Sequence, residues 1–227
     1  MAKVYIGVGH GASDSGAVAN GLKEKDVNLE VALACRDKLK ANGVDVKISR
    51  TGDTDQGINA KVSEANKWGA DYVVEIHHNA GGGDGAEVYY SVNGGKGKTL
   101  AQNVLDGIVA LGQQSRGIKT KTTSDGRNYF GIIRDTVAPA ILVECAFLDS
   151  KDYKIVDTAA ERKAMGEAIA NGVLETLGIK EKAEVKTEAT YLYKVQIGSF
   201  SKKANAEALV TKAKKAGFDA VIVTVKS

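Results

Sequence analysis

The chain has 227 residues, 43% hydrophobic and 26% charged, a globular balance with length for one or two domains, which excludes a chain disordered as a whole. A single proline excludes polyproline and collagen-like segments, and a net charge of +3, from 31 basic and 28 acidic residues, is too small to argue for nucleic acid. No apolar run approaches the roughly 18 residues of a membrane span.

Residues 4–8 read as a buried strand entered directly from Met1, with no signal-peptide apolar region, so synthesis in the cytoplasm is expected. A helix is expected with Asp26 as N-cap, with Val27, Val31, Cys35 and Leu39 on one face and a stop at Asn42-Gly43. Residues 44–49 alternate as a strand does, and Ile58, Val62 and Ala65 mark a second helix ending near Trp68-Gly69. Residues 71–76 form an apolar strand that delivers His77-His78-Asn79, and after Gly81-Gly82-Gly83 a strand is expected over 86–92. Leu100, Val104, Ile108 and Leu111 share a helical face; residues 112–128 show no pattern; residues 140–145 read as a buried strand. Thr158 and Glu161 stand at capping-box spacing before a helix carrying Met165, Ile169, Val173 and Leu177. This order predicts an α/β fold, a twisted, mostly parallel sheet with helices on both faces, over residues 1–179. Cys35 and Cys145 are expected as buried free thiols.

Residues 180–190 alternate Lys and Glu as a solvated linker does. Residues 191–227 read as a small βαβ-like unit: a strand through Tyr193, Val195 and Ile197, a helix capped by Ser201 and ended by Gly217, and a strand over 220–225. That unit is too short to bury its own apolar face, so it needs a partner.

All three histidines follow predicted strands, the edge at which open α/β sheets bind ligands. His10 lies between two glycines, and His77 and His78 end the third strand. Glu24 precedes the first long helix, and Glu144 sits inside Ile141-Leu142-Val143-Glu144-Cys145, where a carboxylate is costly to bury without a partner. Two imidazoles and a carboxylate suit a catalytic zinc, and a second carboxylate then serves as general base; the alternative is a set of unrelated polar groups at loop ends. Strand alternation puts His77 and His78 on opposite sides without choosing between them, and puts Glu75 on the side of His77.

Four segments occur in order: Gly9-His10-Gly11, Gly21-Leu22-Lys23-Glu24-Lys25, Glu75-Ile76-His77-His78-Asn79, and residues 139–147, Pro-Ala-Ile-Leu-Val-Glu-Cys-Ala-Phe. Together they make residues 3–177 resemble the zinc-dependent N-acetylmuramoyl-L-alanine amidases of the type 3 family. The resemblance implies one zinc per chain on His10, Glu24 and His77, with Glu144 as the catalytic glutamate. It also implies the substrate, the peptidoglycan amide that joins N-acetylmuramic acid to the first alanine of the stem peptide. Gly7-Val8, Ala12, Glu75 and Ala146 depart from the usual family residues. Lys119, Lys121 and Arg127 are then candidates for one wall of a stem-peptide groove, against the alternative of a solvated loop.

Tyr193-Lys194-Val195-Gln196-Ile197-Gly198-Ser199-Phe200, residues 205–209 and residues 216–219 resemble one sporulation-related (SPOR) repeat, a module associated with peptidoglycan binding. A complete domain has two repeats, so pairing of two chains into a C2 homodimer is expected, with docking of the half-repeat on its own chain as the alternative. The expected activity is that of an endolysin or sporulation autolysin reaching the wall through lysis or holin-type pores. Rival readings are a non-catalytic wall-binding protein, a zinc peptidase cutting within the stem peptide, and, least favoured, a Cys145 thiol enzyme.

Overall fold

The structure, a computed structural model, describes residues 1–181 and 196–224. The chain divides into two compact units, Met1–Ala183 and Glu184–Ser227. The first unit is built from β1 (Lys3–Val8), β2 (Val18–Ala19), β3 (Leu22–Lys23), α1 (Glu24–Ala41), β4 (Asp45–Ile48), α2 (Ile58–Trp68), β5 (Tyr72–Asn79) and β6 (Ala86–Tyr90), followed by α3 (Lys96–Val109), β7 (Ser115–Lys119), α4 (Gly131–Asp135), β8 (Ala140–Phe147) and α5 (Ala159–Thr176). Six strands form one sheet in the order β4-β1-β5-β8-β6-β7, with β6 and β7 antiparallel to the other four.

Strand alternation sorts the apolar side chains to two faces. Val4, Ile6 and Val8 of β1, Val74 and Ile76 of β5, and Ile141, Val143 and Cys145 of β8 join the larger core, under α1, α3 and α5. Tyr5, Val73, Ala140 and Leu142 point the other way, to a smaller core with α2 and α4. Helices on both faces of a mostly parallel sheet match the sequence reading. Cys35 and Cys145 are free and buried in the larger core. Helix α5 lies backbone-close to its neighbours: a Cβ on Gly166 would stand 2.3 Å from the Val31 carbonyl oxygen, and one on Gly172 would stand 2.5 Å from that of Asn103.

The structure corrects several expected boundaries. Helix α1 starts at Glu24, with Asp26 in its first turn rather than at the N-cap. Its leading amides are satisfied by loop carbonyls instead, Glu24 N–H on Ala17 O at 2.8 Å and Lys25 N–H on Ser15 O at 3.1 Å. A two-residue hairpin feeds that start, with Asn20 and Gly21 both at positive φ (51° and 79°) between β2 and β3. His77, His78 and Asn79 lie inside β5 rather than after it, and β8 runs on to Phe147. Leu111 falls past the end of α3 and is exposed, so the buried stripe is Leu100, Val104 and Ile108. The 112–128 stretch contains β7, an edge strand with a largely polar sequence, which paired burial patterns cannot reveal. Thr158 and Glu161 form the expected capping box, and Gly69 ends α2 in the left-handed region.

In the second unit, α6 (Lys203–Lys215) is followed by Gly217 at φ 85°. Its N-cap is Lys202 rather than Ser201, with no side-chain cap. Most of the strand expected over 193–197, and most of the 180–190 linker, lie outside the described residues. Residues 220–224, expected as a strand, carry no strand assignment among the described residues.

Candidate active site

Three strand ends, β1, β5 and β8, and the start of α1 meet at one edge of the sheet. Past β1, the chain turns sharply at His10, which takes a left-handed φ of 59°, followed by Ala12 at 49°. Non-glycine residues adopt this conformation at a cost, and here it turns the imidazole to the sheet edge. The turn is closed by paired hydrogen bonds between Gly11 and Asp14. Asp14 then meets His10 Nδ1 at 2.8 Å, which assigns that nitrogen the proton and leaves Nε2 toward Glu24 Oε2 at 3.2 Å.

Glu24 occupies the first position of α1, where the helix dipole favours an anion. Its carboxylate is 4% exposed and is gripped from several sides. Oε2 accepts from Ala17 N–H at 2.9 Å; Oε1 accepts from the amide of His78 at 3.1 Å and from Asn28 Nδ2 at 3.3 Å. Gly16 is required beside it, since a Cβ there would stand 2.4 Å from Glu24 Oε2. His77 Nδ1 lies 3.0 Å from Glu24 Oε1, and its ring packs edge-on to His10 with centroids 4.9 Å apart. The donor atoms of His10, Glu24 and His77 all lie within 4.8 Å of one another.

The electrostatics fit a cation. Burial alone would raise the Glu24 pKa, but hydrogen bonds from His10 and His77 hold it well below the usual carboxylate range. Burial likewise opposes charge on His77, yet Glu24 and Glu75 lift it to about 10. His10 is raised by its hydrogen bond to Glu24. A field that draws protons onto two imidazoles around a buried carboxylate also draws a metal ion. Two histidines and one carboxylate are a donor set that zinc accepts with a position left open.

Glu144 sits on β8 in register with His77 of β5 on one side and Glu87 of β6 on the other. Burial raises its pKa to about 7, with Glu24 and Glu87 adding to the rise against His77. Its Oε2 is buried without a hydrogen-bond partner, which leaves that oxygen free for a group outside the chain. Cys145 points to the opposite face, and burial pushes its thiol far up, so it offers no nucleophile.

Of the two adjacent histidines, only His77 joins the cluster. His78 is 2% exposed; burial lowers it to about 4, and its Nδ1 donates to Asn28 Oδ1 at 2.7 Å. That places it behind Glu24, out of reach of a substrate. Glu75, on the side of His77 as alternation requires, pairs with Lys61 at 2.5 Å.

Sequence reasoning missed Asp14, Lys61 and Glu87. Glu87 is buried and accepts from Tyr89 OH at 2.8 Å, Arg116 Nε at 2.8 Å and Lys119. Lys119 therefore stands near Glu144 through Glu87. Lys121 lies 4.1 Å over the Tyr129 ring, and Arg127 pairs with Asp125 within the same polar loop.

Gly9, just past β1, shapes the pocket as directly as the donor groups do. A Cβ on Gly9 would stand 2.4 Å from His77 Cε1. Gly9→Ala is therefore expected to push the imidazole off the cluster and to lower bound metal by an order of magnitude or more, a loss that metal analysis of the purified variant checks.

Residues 4–175 match the family model described as N-acetylmuramoyl-L-alanine amidase, and residues 189–227 match the SPOR domain model. The chain is similar to the sporulation-specific N-acetylmuramoyl-L-alanine amidase of Bacillus subtilis, at 37% identity over 98% of this chain and 85% of that protein. It is also similar to the endolysin of Bacillus phage SPP1, at 33% identity over 79% of this chain and 68% of that one. Among solved structures, the catalytic domain of CwlV, an N-acetylmuramoyl-L-alanine amidase from Bacillus (Paenibacillus) polymyxa, superposes with a TM-score of 0.71 at 32% identity, covering 79% of this chain and all of that one. With a matched fold, a matched motif order and a cluster of donors at the sheet edge that could hold a metal ion, the chain belongs to the N-acetylmuramoyl-L-alanine amidase family and carries a C-terminal SPOR domain.

Proposed function

We propose that the protein hydrolyses the peptidoglycan amide between N-acetylmuramic acid and the L-alanine of the stem peptide, with zinc on His10, Glu24 and His77 and with Glu144 as the general base. The observation that carries this reading is the convergence of three donor side chains within 4.8 Å beside a carboxylate in register with one of them. Zinc bound there supplies a water of depressed pKa, about 7, and a Lewis acid for the scissile carbonyl. Glu144 takes the proton of the attacking water on its unpartnered oxygen and returns it to the leaving alanine nitrogen. Burial of that carboxyl, which raises it in the metal-free chain, favours its holding the proton between the two halves of the transfer. Asp14 holds His10 in the tautomer that turns Nε2 inward.

Product analysis on purified peptidoglycan tests the activity. New alanine amino groups without new reducing sugar ends, lost with chelator and restored by zinc, are expected. Cleavage that leaves the lactyl amide whole would replace this reading with a stem-peptide peptidase. Tight wall binding without cleavage would make it a binding protein.

The charge state of the site gives a second handle. His77 is lifted to about 10, so it is protonated at pH 7 in the metal-free chain, and His10 is raised in the same direction by its hydrogen bond to Glu24. A raised folded-state pKa stabilises the metal-free fold fully below pH 6.5, and that contribution fades as the pH climbs toward 10. A ligating nitrogen carries no proton. Zinc uptake at pH 7 is therefore expected to release protons, with apparent affinity rising with pH, as an indicator dye and titrations at several pH values would show.

The C-terminal unit is proposed to bind the wall and to pair two chains. Ile197, Phe218, Val221 and Val223 are 63%, 69%, 79% and 69% exposed, an apolar set that a second half-repeat would cover. Sedimentation is expected to show a dimer that dissociates on dilution and is lost in Val221→Lys/Val223→Lys. A tail that is folded and monomeric over a broad concentration range would favour docking on its own chain.

A further inference from the structure

Beneath His77 lies a buried ion pair with no part in the chemistry described so far. Lys61 of α2 and Glu75 of β5 are 5% and 2% exposed. Lys61 Nζ donates to Glu75 Oε1 at 2.5 Å and to the Val8 carbonyl oxygen at 2.7 Å. Glu75 Oε2 is buried without a partner. The carboxylate also takes space from its neighbour in the sheet: Glu75 pairs with Gly7 in register, and a Cβ on Gly7 would stand 1.5 Å from Oε2. A buried pair of this kind is a poor source of stability, because desolvation offsets most of its attraction and an apolar pair of similar volume does as well.

The pair is aimed at the site. Glu75 Oε1 lies 3.7 Å from His77 Nε2, while Nδ1 of the same ring faces Glu24. An imidazole that ligates through Nδ1 carries its proton on Nε2, and Nε2 faces Glu75. The other histidine of the cluster has a closer carboxylate neighbour, a hydrogen bond from His10 Nδ1 to Asp14 at 2.8 Å, where Glu75 stands from His77 at an ion-pair distance. Each imidazole therefore has its own carboxylate on the nitrogen turned away from the shared centre.

We propose that Glu75, anchored by Lys61, is the positioning residue for His77: its carboxylate faces Nε2, favours the proton on that nitrogen and so fixes the ring with Nδ1 toward the metal. This rests on the metal reading of the cluster. Such outer partners orient a ligating histidine and raise its basicity, and their loss weakens metal binding by roughly 10- to 100-fold.

Two double variants of the full chain separate positioning from packing. Lys61→Met/Glu75→Leu replaces the ion pair by an apolar pair and removes the acceptor; Lys61→Met/Glu75→Gln removes the charges but keeps an oxygen in place. Zinc affinity is read by competition with a chromophoric chelator, and metal-free melting is followed in parallel. The leucine variant is expected to melt near the wild type yet bind zinc roughly 10- to 100-fold more weakly, and the glutamine variant to recover most of that loss. Equal zinc affinity in the leucine variant and the wild type, or equal weakening in both variants, overturns the proposal. Nitrogen-15 histidine spectra of the zinc-loaded wild type provide a test that needs no variant. A slowly exchanging Nε2 proton on His77 is expected, and a His77 protonated on Nδ1 overturns the assignment. Wild-type protein that takes up no zinc would instead overturn the metal reading itself.

Discussion

Glu144→Gln is expected to keep wild-type zinc uptake and to lower hydrolysis of the lactyl amide by roughly 100- to 10,000-fold, the usual contribution of a positioned general base. Glutamine fills the same volume in β8 and leaves His10, Glu24 and His77 untouched, so the loss falls on proton transfer. The fold should not suffer. Burial raises the Glu144 pKa from 4.5 to about 7, so the native state disfavours the charged carboxylate. The unfolded chain loses that proton more readily, and the wild type gives up stability as pH rises from 4.5 through 7. The glutamine variant escapes that loss and should melt at or above the wild type at pH 8. Metal content, released alanine amino groups and a melting curve on one preparation check all three. A variant with full activity removes Glu144 from the mechanism.

The adjacent histidines should part company just as sharply. His77→Ala takes one of three donors from the cluster and is expected to abolish stoichiometric zinc and, with it, hydrolysis. His78→Ala leaves all three donors in place. Its cost is to the fold, about 1–3 kcal/mol for a lost buried partner, because Asn28 loses the donor to its Oδ1. Asn28 also contacts Glu24 and the Gly9 carbonyl, so a modest weakening of zinc can follow through that chain. Metal analysis and thermal melting of the two variants side by side distinguish the outcomes. Retention of zinc by His77→Ala would refute the assignment of His77.

Much of this architecture is legible in the sequence because burial imposes period. The apolar runs of β1, β5 and β8 are nearly continuous since both faces are covered, and Thr158 with Glu161 announces α5 by chemistry alone. What escapes is held by contacts rather than by pattern. β7 is an edge strand with no alternation to find. The start of α1 is set by carbonyls of the preceding loop, although Asn20-Gly21 was a usable hairpin signal. The same division runs through the site. His10 follows β1 and Glu24 opens α1, while His77 and Glu144 interrupt the apolar runs of β5 and β8, where their residue types draw notice. Asp14, Lys61 and Glu87 matter only through what they touch, and one polar residue in a loop or helix looks like any other.

The place of β8 in the sheet has a consequence in time. It is the last strand of the six to be synthesised, yet it lies between β5 and β6. Until it arrives, the sheet exists as two separate pieces, one bearing β4, β1 and β5 and the other β6 and β7. The Glu24–His77 contact, which spans 53 residues, can close within the first piece alone. The donor cluster can thus assemble while the chain is still being made. Glu144 comes only on the strand that joins the pieces, so reactivity and completion of the fold coincide. On the roles proposed above, a chain ended before β8 would carry the three donors without Glu144, and hydrolysis would wait for the strand that completes the sheet.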